Sequence, residues 1–143
     1  MVENIYDCEL LLAVILRTNY INSGISFFTP NHFSQQLGYM NREKGYKIKP
    51  HVHNPVKREV HFTKEVLFIK TGKVRVDFYD ENQTYLKSKI LNEGDFILLA
   101  HGGHGFEILE NSEIIEVKQG PYAGESDKTR FEPIPSGKIQ IKD

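Results

Sequence analysis

The chain has no tryptophan, a single cysteine, no basic excess and no long apolar run. With Cys8 alone there can be no intrachain disulfide, and a reducing compartment is the expected setting. The formal net charge of -1 argues against a nucleic-acid surface, which carries a clear basic excess. The only local basic cluster, residues 44–49, alternates with apolar groups and reads as a solvated strand face. The apolar run at residues 10–16 is far too short to span a bilayer. Asp7 and Glu9 precede it and no small-residue cleavage site follows, so it does not read as a signal peptide. A cytoplasmic protein with no nucleic-acid or membrane partner is the expectation. No segment sustains a helical period, and there is no internal repeat or low-complexity tract.

What is present is a succession of short strand-like runs in 143 residues, a length that suits one domain. Residues 10–16 read as a buried strand, although Leu and Ala also favour a helix. Residues 25–29, 36–40 and 46–53 follow, with a turn signal at 41–45 before the last. Residues 66–69 are continuously apolar. After a turn at Thr71-Gly72, Val74, Val76 and Phe78 alternate with Lys73, Arg75 and Asp77, the period of a strand with one buried face. A hairpin turn at 80–83 leads to a return strand at 85–91, then runs at 96–99, 106–109 and 114–118. This spacing predicts an all-β sandwich or barrel. Phe68, Phe78, Phe96 and Phe106 are expected to fill it. The tail after Phe131 reads as an extended arm along the body or as disordered.

Three histidines and a glutamate are spaced as a metal site carried on strands. His51 and His53 are two apart and would share one strand face, with Val52 on the other. Glu65 opens the run before Gly72, and His104 follows Gly94 and Gly102. Imidazole and carboxylate suit a divalent zinc, iron, manganese or nickel ion. His61, before Glu65, reads as a loop residue, a replacement ligand or an acid/base. His101 reads as an exposed turn residue, and so does His32.

At these residues the chain resembles the cupins. Gly45, His51, His53, Glu65 and Gly72 follow the first cupin motif in order, with residues 54–64 as a longer spacer than the family uses. Gly94, Gly102 and His104 follow the second, with Ala100 in place of its proline and one residue fewer before the histidine. The resemblance implies a double-stranded β-helix, a jelly-roll cupin barrel with N-terminal extra strands. It also implies a divalent metal ion held by His51, His53, Glu65 and His104. It divides the chain into N-terminal strands at 1–35, a barrel at 36–120 and a C-terminal arm at 121–143. The run at 10–16 would add a strand to a partner's sheet and give a homodimer.

A second resemblance lies near the end. Glu116, Val117, Gly120, Tyr122, Gly124, Glu125, Asp127 and Arg130 match in register the closing segment of type II phosphomannose isomerases. Lys118 stands where that family has Gln, and Lys128 where it has Ile. The resemblance implies a sugar or sugar-phosphate ligand and isomerase or epimerase chemistry. The ion would hold sugar oxygens, and Glu107 or His61 would move the proton. Arg130 would bind a phosphate, or else pair structurally with Glu125 or Asp127, and Tyr46 would line the mouth. A non-catalytic metal and small-ligand binder, and an iron-dependent cupin dioxygenase, are the alternatives.

Overall fold

The period-two runs become eight strands. They are β1 (Val2–Asp7), β2 (Leu10–Leu16), β3 (Gly24–Phe27), β4 (Gly38–Asn41), β5 (Glu65–Tyr79), β6 (Tyr85–Asn92), β7 (Phe96–Leu99) and β8 (Gly103–Lys118). The computed structural model describes residues 1–142. Six strands form one antiparallel sheet, and β3 with β4 forms a separate hairpin. Along the sheet β1 pairs β2, β2 pairs β7, and β7 pairs the first residues of β5. The second half of β5 pairs β6, while β8 follows the whole of β5 along its other edge.

The sheet curls because β5 and β8 are long and bent. The Thr71-Gly72 position, predicted as a turn between two strands, lies inside one continuous strand. Likewise the runs at 106–109 and 114–118 belong to the single strand β8. The register between them slips from Ile69 to Val74, which is the signature of bulges that bend and twist a ladder. Gly72 makes the bend possible: its φ is +87°, and a Cβ there would sit 2.3 Å from the Asn111 carbonyl oxygen.

Both faces of the sheet centre are covered. Ile97 and Leu99 of β7 pack with Leu12, Ile15, Leu67, Ile69, Val74, Val76 and Phe78 on one face. Phe96 and Leu98 point the other way, toward Leu11, Val14, Leu16 and the Phe33, Leu37 and Tyr39 side chains of the β3–β4 region. Each fully buried aliphatic side chain contributes roughly 1.5–3 kcal/mol. Phe78 fills the core as predicted, and Phe68 stacks on Phe96, but Phe106 is exposed on β8.

Two expectations are corrected. β2 is not a free edge for a partner, since it lies between β1 and β7 and is buried from Leu11 to Leu16. Residues 1–16, expected as N-terminal extra strands, lie in the same sheet as β5 to β8. Residues 46–53 form no strand: positions 42–64 carry none, and 41–62 are exposed throughout. An alternating pattern becomes a strand only where another backbone edge accepts it, and here none does. The tail does run along the body. Ser88 of β6 donates to the Gln140 carbonyl and accepts from the Lys142 amide. No helix among the described residues is long and apolar enough to cross a membrane.

Charge locks one end of the sheet. Arg17, just after β2, donates to Glu3 at 2.5 Å and to Asp95 at 2.7 Å, and Lys89 reaches Glu3 at 2.6 Å. Burial pushes the Glu3 carboxyl up, but hydrogen bonds from Arg17 and Lys89 outweigh it and hold the group below its ordinary range. A carboxyl with a lowered folded-state pKa gives stability that is present above its unfolded value and lost as pH falls through the folded one. Glu3→Gln is therefore expected to cost about 2 kcal/mol at pH 7, the scale of a charged hydrogen bond. It should also flatten the acid limb of the melting temperature between pH 7 and pH 3. An unchanged acid limb would show that the Glu3 contacts carry no folding energy.

Candidate functional site

A cleft of about 590 Å³ opens where the start of β5, the turn at 100–102, the start of β8 and the segment 127–133 meet. Its volume is that of a small-molecule pocket. Glu65 and His104 meet inside it, with His104 Nε2 3.3 Å from Glu65 Oε2. The contact measures the curl of the sheet. His104 pairs across the ladder with Phe78, thirteen residues along β5 from Glu65. A straight strand would separate those positions by about 43 Å. The bend at Gly72 folds one half of β5 over the other and brings the two side chains together. The His104 hydrogen bond holds the Glu65 carboxyl below the usual carboxylate range, with Lys118 and Lys128 adding to the effect.

His101 is not an exposed turn residue. Its Nδ1 lies 3.0 Å from the Leu11 carbonyl oxygen, and its ring sits edge-on to Phe33 and Phe62. A carbonyl can only accept, so Nδ1 carries the proton in this contact. Nε2 is left as the second ring nitrogen, on a ring that lines the cleft. The turn is anchored by the Ala100 and His101 amides, which both donate to the Leu12 carbonyl. Gly102 is required beside it: φ is +68°, and a Cβ would lie 2.5 Å from the Tyr79 carbonyl.

The C-terminal segment forms a wall. Thr63 donates to Asp127 at 2.6 Å, Phe131 packs edge-on against Tyr79, and the Ile134 amide donates to the Tyr79 hydroxyl. Lys128 and Arg130 line one side of the cleft and Asp80 and Glu81 another. Arg130 is paired with Glu125, the structural alternative that its sequence neighbours offered. Lys128 makes no ion pair among the described residues.

The remaining predicted residues lie elsewhere. His51 and His53 stand together, ring centroids 5.3 Å apart, on the exposed segment and outside the cleft lining. His61 is exposed 3.8 Å from Glu59, and Tyr46 lies under the Arg42 guanidinium, also exposed. Glu107 is paired with Arg75. It is three residues from His104 on the same strand, so it faces the opposite side of the sheet. Neither Glu107 nor His61 lines the cleft. The predicted four-donor set is divided into two pairs, Glu65 with His104 and His51 with His53. No group of three or more His, Cys, Asp or Glu side chains is gathered for one ion among the described residues.

The cleft residues that the sequence did not bring forward are Lys128 and the Thr63–Asp127 tie, and His101 was expected only as an exposed turn residue. His101 depends on a carbonyl ninety residues away, which no local pattern signals. Comparison of the chain with family models, with curated proteins and with solved structures gave no match.

Proposed function

We propose that this is a cupin-type protein, its curled sheet one part of a jelly-roll barrel, and that the cleft binds a small polyhydroxylated molecule such as a sugar or sugar phosphate. The reaction that suits it is proton transfer beside a carbonyl, of the isomerase or epimerase type. The observation that carries this reading is the convergence of Glu65, His104 and His101 in one cleft of small-molecule size.

The roles follow from the chemistry of each group. A carboxylate held low in pKa is a weak base, so Glu65 serves to orient His104 rather than to take a proton from carbon. His101, with Nδ1 fixed by Leu11 and Nε2 free, is the proton acceptor and returns the proton to the neighbouring carbon. His104 polarises the substrate oxygen. Lys128 supplies charge for an anionic group, and Asp80 and Glu81 accept hydrogen bonds from hydroxyls.

A divalent cation is the second reading, favoured by one distance. Donors on a tetrahedral ion with bonds of about 2.0–2.2 Å lie roughly 3.4 Å apart. Glu65 Oε2 and His104 Nε2 are 3.3 Å apart. These two would hold the ion, which, when bound, would polarise a carbonyl oxygen; His51 and His53 stand outside the cleft and would complete the set only from another molecule.

Calorimetric titration against a panel of aldose and ketose phosphates, with exchange of substrate protons in heavy water, tests the proposal. Glu65→Gln should weaken binding roughly tenfold or more. His101→Gln should slow exchange by about 100-fold or more while leaving affinity near that of the parent. Glu107→Gln should change neither. Exchange at the parental rate in His101→Gln would remove the residue from the reaction. Metal content measured on His104→Ala and on the His51→Ala, His53→Ala double variant separates the cation reading: parental content in both would end it.

A further inference from the structure

We infer that residues 46–53 of one molecule add as a strand to the outer edge of β8 in a second copy of this chain. Two unsatisfied features of the same molecule carry the inference. The first is β8, sixteen residues long and, among the described residues, paired only along its β5 side. Its apolar side chains are open to solvent, with Ile108 at 54%, Ile115 at 52% and Val117 at 60% exposure. A long, open, apolar edge is a template for another strand. The second is the segment 42–62, which is exposed throughout. Among the described residues its one backbone–backbone hydrogen bond, from the Tyr46 amide to the Glu43 carbonyl, is local. Within it Tyr46, Ile48 and Val52 alternate with Lys47, Lys49, His51 and His53, the pattern of a strand that buries one face. Pro50 confines that strand to an edge, which is the position an added strand takes. Eight residues span about 26 Å and fit within half of β8.

Charge favours the match. Residues 42–62 hold six basic side chains, Arg42, Lys44, Lys47, Lys49, Lys57 and Arg58, against Glu43 and Glu59. β8 holds Glu107, Glu110, Glu113 and Glu116 against Lys118. Three of these glutamates already touch Arg75, Lys73 and Lys70 of β5, yet they remain half exposed and open to a second cation. Each molecule carries one such arm and one such edge, so two copies related by a two-fold axis give and receive together. The chain's own arm leaves the sheet at the far end of β8, where the Gln119 amide donates to the Lys64 carbonyl, and would have to cross that strand end to reach its outer side. If the cation reading is right, the exchange has a consequence: the arm delivers His51 and His53 to the Glu65–His104 pair of the other molecule.

Sedimentation and hydrogen exchange of the full chain test the inference. The parent should sediment as a dimer at micromolar concentration, with amides of 46–53 protected. Ile48→Pro and Ile108→Arg, each at an exposed position, should both yield monomers that keep the parental circular dichroism. A monomeric parent overturns the inference, including one in which 46–53 is protected by folding onto its own β8. A dimer that persists in both variants overturns it equally. Metal content, read on the same samples, is a separate result: a dimer without bound metal would sink the cation reading and leave the exchange standing.

Discussion

Asp95→Ala is expected to lower the unfolding free energy by about 3–5 kcal/mol, the cost of removing one partner from a buried charge pair. Asp95 is 2% exposed and accepts three hydrogen bonds, from the Arg17 guanidinium at 2.7 Å and from the Thr18 and Asn92 amides at 2.9 Å each. The alanine leaves Arg17 short of one anion and two amides without an acceptor, all at the junction of the β2 end with the turn between β6 and β7. Asp95→Asn keeps an acceptor but loses the charge and should cost about half as much. Urea denaturation measures both. A loss under 1 kcal/mol for the alanine would show that Arg17 is compensated by Glu3 and the Ile90 carbonyl alone.

Gly72→Ala is expected to be comparably severe and to act on the site as well as on stability. A left-handed φ costs a non-glycine residue roughly 1–2 kcal/mol, and the added methyl meets the Asn111 backbone as well as the Ser112 hydroxyl. The total should reach about 3 kcal/mol or more. Relief would come from opening the bend, which draws Glu65 away from His104. Ligand affinity should therefore fall together with the denaturation midpoint. Gly137→Ala, where nothing lies within 4 Å of the new Cβ, is the control and should change neither by more than about 0.5 kcal/mol. Parental affinity in a destabilised Gly72→Ala would separate the curl from the site.

Much of the strand pattern was legible because it depends on local alternation. Residues 10–16, 85–91 and 96–99 are strands within a residue of their predicted limits. The curl was not legible, because Gly72 in a strand and Gly72 in a turn have the same sequence signature. What distinguishes them is the β8 backbone alongside, more than thirty residues away. The site divides in the same way. Glu65 and His104 were identified by their glycine frames and do meet in the cleft. The wrong face for Glu107 was readable from its odd spacing to His104 and was missed. His51 and His53 show the limit of periodicity, which states what a segment can pair with but not where its partner is.

Residues 140–142 bear on how far such pairing can spread. They bridge Ser88 on the outer side of β6, while the opposite border ends in a short β1 interrupted by a bulge after Ile5. Among the described residues β8 is the longest flank left open. Two molecules joined through β8 as inferred above would use that flank on each other, so association of that kind would close on itself and not lengthen into a fibre.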